Sequence, residues 1–297
     1  MQCLLKCTEG EGFQLVTRPV PTPGPDQVII KVHKVAICGS DLNLWKWNDL
    51  ARTIATLPFI PGHEVTGEVV ALGSEVTEVR LGQRVAVENH FYCTRCYQCK
   101  SGRGDICPNM SQYGHGRGTD QGGCCEYSCV CVKYCYTLTT NISQEHAAIL
   151  EPMGVAHNAV ENLSVCGEDV LVLGCGPIGL LTIPIIKAMG GKKVFAVDVN
   201  TERLTLALKM GADKVINSQK EDIKSVLRGE LAEDTDGIGR IVEATGASDV
   251  INNCFSWLRK GGHIVLIGLP KAPIHIQNPI TDLVLKAITL KSVHGRR

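Results

Sequence analysis

The chain has 297 residues, 44% of them hydrophobic, enough for one large domain or two ordinary ones with a sizeable core. Its 30 Lys and Arg balance 30 Asp and Glu, the signs are mixed along the chain, and no basic stripe points to nucleic acid. No apolar run reaches a membrane span, and MQCLLKCTEGEGF lacks a secretory core and cleavage site, so a reduced, cytoplasmic setting is expected for the 15 cysteines.

The first half reads as β-rich. QVIIKVHKVAIC is dense in β-branched residues, and VTGEVVALG and RVAVENH are further strand candidates separated by Gly, Pro and Asp. Cys38 follows the first of these, in AICGSDLN, and His63 and Glu64 stand in IPGHEVTGEV. Thiolate, imidazole and carboxylate are all zinc ligands, and three protein ligands leave a fourth position for water or a substrate hydroxyl. Singly they have plainer readings: Cys38 as packing after an apolar strand, His63 as a hydrogen-bonded structural histidine.

Cys93, Cys96, Cys99 and Cys107 follow at C-x2-C-x2-C-x7-C spacing. Four thiolates can close a tetrahedron around Zn²⁺ with no open position, so the run reads as a structural site with the chemistry elsewhere; the plainer reading is four thiols clustered in a Cys-rich chain. Cys124, Cys125, Cys129, Cys131 and Cys135 form a second cluster, of which Cys129, Cys131 and Cys135 lie among Val and Tyr at strand-like spacing. These read as small core hydrophobes, as do Cys3, Cys7, Cys166, Cys175 and Cys254.

From about residue 165 the rhythm changes. EDVLVLG, KKVFAVD, DKVIN, GRIVEAT, HIVLIG and ITLKSVHG are six strand candidates. Helices alternate with them: PIGLLTIPIIKAMG with Pro184 inside it, TERLTLALKMG, EDIKSVLRGEL and ASDVINNCFSWLRKGG. This alternation implies right-handed βαβ units and a doubly wound parallel sheet, giving an α/β chain with a β-rich first half.

Gly174-Cys175-Gly176-Pro177-Ile178-Gly179 is G-x-G-x-x-G between a strand and a helix. Gly174 makes the turn, Gly176 lets the backbone approach a pyrophosphate, and Gly179 lets helix and strand pack closely. Asp198 ends the next strand. A carboxylate there accepts ribose hydroxyls and repels a 2′-phosphate, which favours NAD over NADP. Arg203 pulls the other way, since a guanidinium pairs with phosphate; beside Asp198 it is expected to line the adenosine side.

The ordered set C-G-S-D, P-G-H-E-x-x-G-x-V, the four-cysteine run, E-P-M-G and G-x-G-P-I-G resembles the zinc-dependent medium-chain dehydrogenase family over essentially the whole chain. Within it the likeness is greatest to the threonine dehydrogenases, with sorbitol and butanediol dehydrogenases as near relatives. The resemblance implies a GroES-like catalytic domain over 1–150, with a structural zinc lobe at about 90–110, and a Rossmann NAD-binding domain over 151–297. It implies a homo-oligomer, often a tetramer, with no membrane or nucleic-acid partner, acting on a small alcohol, amino-acid or polyol substrate.

The same resemblance implies roles. Cys38, His63 and Glu64 match the catalytic zinc shell, Asp41 a carboxylate that orients His63, and Ser40 the hydroxyl that takes the substrate proton. Glu151 matches an acidic residue beside the zinc, either a direct or exchanging ligand or part of the proton path. His90 matches a histidine near the substrate; its plainer reading is a structural histidine at a strand end. Ile178, then Ile267, Gly268 and Leu269, then Val293 and His294, match segments along the dinucleotide. Two departures stand out. Asn43 occupies the place of a relay histidine and cannot titrate; His90 or ordered water is left to substitute. The family's return to the first domain after the sixth strand is missing, since the chain stops at His294-Gly295-Arg296-Arg297. Alternatives to L-threonine oxidation are a sorbitol, polyol or butanediol dehydrogenase, or a truncated, catalytically silent NAD- and zinc-binding homologue.

Overall fold

The computed structural model describes residues 1–139, 141–231 and 236–296. The chain divides into two compact units, Met1–Glu151 and Pro152–Arg296.

The first unit is built on a five-stranded antiparallel sheet in the order Tyr127–Cys131, Gln27–Ala36, Glu64–Leu72, Arg84–Val87, Cys135–Thr137. Alternation sends Val28 and Ile30 into one apolar cluster with Val65, Val69, Val85, Val87 and Val130. Complete burial of each such side chain contributes about 1.5–3 kcal/mol. That packing fixes the register, because a one-residue slip would turn the apolar set outward. In the register adopted, Ala36 faces Glu64. The antiparallel geometry therefore delivers Cys38, two residues past one strand, to His63 and Glu64 at the start of the other.

Cys38 is also the N-cap of the helix Gly39–Lys46. The Asp41 carboxylate accepts the Cys38 N–H at 2.8 Å, satisfying a donor that the helix start leaves without a partner. The helix ends at Trp47, where φ turns to 53°, and Asn48 caps the next helix, Asp49–Ile54. The last turn of Gly39–Lys46 is anchored by Lys6, a fully buried lysine whose Nζ donates to the carbonyls of Gly12 at 3.0 Å and Trp45 at 3.2 Å.

The second unit carries a six-stranded parallel sheet in the order Lys214–Asn217, Val194–Asp198, Val170–Leu173, Ile238–Glu243, Leu258–Leu266, Thr289–Ser292. Every residue of Val170–Leu173 is buried, as expected of a central parallel strand covered on both faces. Val170 and Val172 enter one core cluster and Leu171 and Leu173 the other. The order reverses at this strand, so the crevice at its carboxyl end is where such sheets bind ligands.

Pro184 does not interrupt the helix Pro177–Ala188. One boundary differs from expectation. The pattern predicts a helix running through LRKGG, whereas the helix Ser248–Trp257 stops at Trp257 and the strand begins at Leu258. Leu258 is fully buried opposite Ile238, and the register shifts before Arg240 pairs with His263. Core burial of Leu258 overrides the local helical pattern. No helix among the described residues is long and apolar enough to cross a membrane.

Candidate metal centres and nucleotide cradle

The ligand atoms of Cys38, His63 and Glu64 all lie within 4.8 Å of one another. His63 and Glu64 are buried and Cys38 is half-buried. His63 turns Nδ1 toward Asp41 Oδ1 at 3.5 Å, which leaves Nε2, 3.5 Å from Ser40 Oγ, as the nitrogen free to bind a metal. The Asp41 contact is an ion pair without hydrogen-bond alignment. Burial disfavours charge on His63, yet Asp41 and the Cys38 thiol outweigh it and lift the imidazole to about 10. The surroundings therefore favour positive charge at this point. A thiol and two buried ionisable groups converging without a cation would carry a large desolvation cost. The donor set fits a zinc ion with one position open.

Asp41 is itself buried. Burial opposes its ionisation, but His63 and the Cys38 N–H hold the carboxyl below its usual range. Asn43 does not face the role of a relay. Its amide donates to Gly39 O at 2.9 Å and its side-chain oxygen accepts from Asn48 at 2.6 Å, so it staples the two short helices together.

His90 lies on the two-residue strand His90–Phe91, its N–H donating to Glu88 at 2.8 Å, and pairs with Gln112. Glu151 stands outside the group of three ligand atoms, and its carboxylate accepts the Asn89 amide at 3.1 Å. Two buried residues carry little signal in the sequence. Asn89 is one. His115 is the other, its ring centroid 4.8 Å from that of His63 at a tilt of 41°. Burial, with His63 beside it, pushes the His115 imidazole down to about 4. The flanking glycines of QYGHGRG were the only signal available.

Cys93, Cys96, Cys99 and Cys107 also converge. Their Sγ atoms stand 3.4 Å (Cys96 and Cys99), 3.8 Å (Cys96 and Cys107) and 4.0 Å (Cys93 and Cys99) apart. A tetrahedron with metal–sulfur bonds of about 2.3 Å has edges of about 3.8 Å. The short helix Tyr97–Lys100 and the turn Gly104–Ile106 carry the lobe, and Arg103 pairs with buried Asp105 at 2.7 Å inside it. Among the described residues, no other group of metal-ligating side chains gathers so closely. Cys124, Cys125, Cys129, Cys131 and Cys135 pack in the apolar clusters or hydrogen-bond to neighbours, with Cys124, Cys125 and Cys135 each pushed up to about 12, chiefly by burial.

In the second unit Gly174 follows the central strand directly, and Gly176 caps the helix Pro177–Ala188 with no side chain covering its first N–H groups. A Cβ on Gly176 would enter open space, whereas one on Gly179 would sit 1.8 Å from the Gly174 carbonyl. The turn is thus open above and closed below, a cradle for a pyrophosphate. Asp198 Oδ2 accepts the Cys175 N–H and Oδ1 the Asn200 N–H, both at 2.8 Å, while Arg203 stands 3.8 Å away. Ile178, Ile267 and Val293 pack on the core cluster beneath the turn. Ile267 and Gly268 both donate to Glu243 O, at 2.9 and 3.0 Å, and Leu269 beyond them is exposed. Val293 donates to Leu266 O at 3.2 Å, and His294 follows it after the last strand.

Residues 24–140 match the alcohol dehydrogenase GroES-like domain, and residues 177–297 match the zinc-binding dehydrogenase domain. The L-threonine 3-dehydrogenase of Chelativorans sp. (strain BNC1) is 36% identical over 296 residues, spanning 100% of this chain and 84% of that protein. The 2R,3R-butanediol dehydrogenase of Bacillus subtilis superposes with a TM-score of 0.88 at 29% identity, covering 100% of this chain and 84% of that one. A zinc-binding dehydrogenase from Sinorhizobium meliloti 1021, bound to NADP, superposes with a TM-score of 0.89 at 25% identity, covering 99% and 85%.

Proposed function

The chain belongs to the zinc-dependent medium-chain dehydrogenase family, and from that premise we propose that it is an NAD-linked alcohol dehydrogenase that oxidises a secondary hydroxyl, L-threonine at its β-carbon foremost. At the coarser level it is an oxidoreductase acting on alcohol groups, with zinc and a nicotinamide dinucleotide as cofactors. The observation that carries the reading is the meeting of Cys38, His63 and Glu64 within 4.8 Å, with Ser40 Oγ 3.5 Å from His63 Nε2.

Cys38, His63 and Glu64 would hold a zinc ion, which would supply a Lewis acid that lowers the pKa of a substrate hydroxyl. Ser40 Oγ would accept the hydroxyl proton as it passes its own hydroxyl proton on to water, and Asp41 faces His63 Nδ1 from behind. A nicotinamide dinucleotide, when bound, would supply the hydride acceptor that turns the alcohol into a ketone. Gly174 to Gly179 hold the pyrophosphate, and Asp198 selects NAD by accepting ribose hydroxyls. Cys93, Cys96, Cys99 and Cys107 hold the structural zinc. Glu151 and His90 belong to the substrate side of the same reading, and the chain self-associates as a homo-oligomer.

L-Threonine is preferred over polyols and diols because relatives named for it align with the whole chain at 34–36% identity. The test is NADH formation by zinc-loaded protein with L-threonine, sorbitol and butanediol. Threonine is expected to give the highest kcat/KM; turnover on none of the three would overturn the enzymatic reading. Asn43 favours one second reading, a catalytically silent zinc- and NAD-binding protein, because its side chain is committed to Gly39 and Asn48.

A further inference from the structure

The Asp41 carboxylate alone does not fix the His63 ring. Their 3.5 Å contact lacks hydrogen-bond alignment, and the terminal torsion of a histidine is broad. Something else must set the plane of an imidazole that is to bind metal. The face of His63 is covered by the ring of His115, centroid to centroid 4.8 Å, tilted by 41°.

His115 is held far more firmly than the ring it touches. Its Nδ1 lies 3.2 Å from the Tyr113 carbonyl; a carbonyl only accepts, so Nδ1 carries the hydrogen and the ring is anchored there. Its backbone N–H donates to Gln112 O and its carbonyl accepts the Thr56 N–H at 3.0 Å. Tyr113, the preceding anchor, is fully buried with its hydroxyl 2.7 Å from Ser128 Oγ. Gly114 adopts φ +82°, and a Cβ there would lie 2.6 Å from the Gly62 carbonyl and 3.0 Å from His63 Cβ. The turn is therefore pressed backbone to backbone against the segment that carries His63. Gly123 N–H to Gly62 O and Cys124 N–H to Pro61 O, both 2.8 Å, brace that segment from a second strap.

We propose that His115 is a positioning residue for the catalytic metal: its anchored ring, packed on His63, holds the imidazole with Nδ1 on Asp41 and Nε2 directed into the ligand set. Its ring face performs this role and the backbone bonds and tight Gly114 turn hold that face in place even without the Nδ1 bond, so an aromatic ring without nitrogens can substitute for it. The inference rests on the metal reading of Cys38, His63 and Glu64.

The experiment follows metal release to a chelator from the fully loaded protein, and the visible spectrum after cobalt(II) replaces zinc at the three-ligand site. His115→Ala is expected to release that metal about 10–100-fold faster and to shift the cobalt bands, while His115→Phe stays within about threefold of the unmodified protein. Release from the four-cysteine lobe is expected to be the same in all three, which separates this role from general loosening. His115→Leu is a second ring-free variant should the alanine protein fold poorly, and it is expected to behave as His115→Ala. Unchanged release and unchanged cobalt bands in a folded ring-free variant would overturn the proposal, as would a His115→Phe protein as leaky as the ring-free ones. An unmodified protein that binds one metal, in the lobe only, defeats the underlying metal reading instead.

Discussion

The Asp198 carboxylate accepts the backbone N–H of Cys175 at 2.8 Å, tying the glycine turn to the end of the neighbouring strand. One side chain thus shapes the glycine turn proposed to hold the pyrophosphate and presents negative charge where the adenosine ribose would lie. Asp198→Asn removes the charge that repels a 2′-phosphate and weakens a charge-assisted hydrogen bond. The ratio of kcat/KM for NAD over NADP is expected to fall by about 10–100-fold, the scale of one hydrogen bond to a charged group. Steady-state kinetics with both nucleotides checks it.

Gly179 faces the Gly174 carbonyl so closely that an added Cβ would sit at 1.8 Å. Backbone cannot yield as a flexible side chain can. Gly179→Ala is expected to destabilise the second unit by about 1–3 kcal/mol or more and to abolish measurable nucleotide binding. Thermal melts and a fluorescence titration with NADH check the two effects. Gly176→Ala, whose Cβ meets nothing within 4 Å, is expected to fold normally and to lose affinity only for the nucleotide.

Ser40 touches His63 across 3.5 Å but is not a metal ligand in this account. Ser40→Ala is therefore expected to lower kcat by about 10²–10⁴-fold, the range for losing a positioned proton acceptor, with metal content unchanged. Elemental analysis beside turnover measurements separates a lost proton path from a lost metal.

Much of this was legible in the chain and part of it was not. Val170–Leu173 announced a covered parallel strand because both of its faces are apolar, and the cysteine run announced a cluster of four sulfurs because its members are close in sequence. LRKGG misled because its helical continuity is local, whereas the burial of Leu258 against Ile238 is a tertiary fact. Cys38 and His63 are joined by the register of Ala36 on Glu64, which residue types alone do not specify. Asn89 and His115 were invisible for the same reason: their partners, Glu151 and His63, lie 62 and 52 residues away. The exchange of a relay histidine for Asn43 was visible, but its bond to Asn48 was not.

The four-cysteine lobe is, in this proposal, a separate metal centre. Cys107 is its buried member, and the Cys93 N–H donates to its sulfur at 3.4 Å. Cys107→Ser is expected to cost one metal per chain and to lower the melting temperature, because a structural zinc contributes folding energy outright. Cobalt bands from the three-ligand site are expected to persist. Metal analysis and differential scanning calorimetry check this outcome.

Metal stoichiometry of the unmodified chain beside Cys38→Ser tests the central claim most directly. Two zinc ions per chain are expected in the first. One is expected in the second, the four-cysteine zinc, with NADH formation lost. Two zinc ions in both proteins, with undiminished turnover of the variant, would contradict the assignment of Cys38, His63 and Glu64 as the ligands of the working metal.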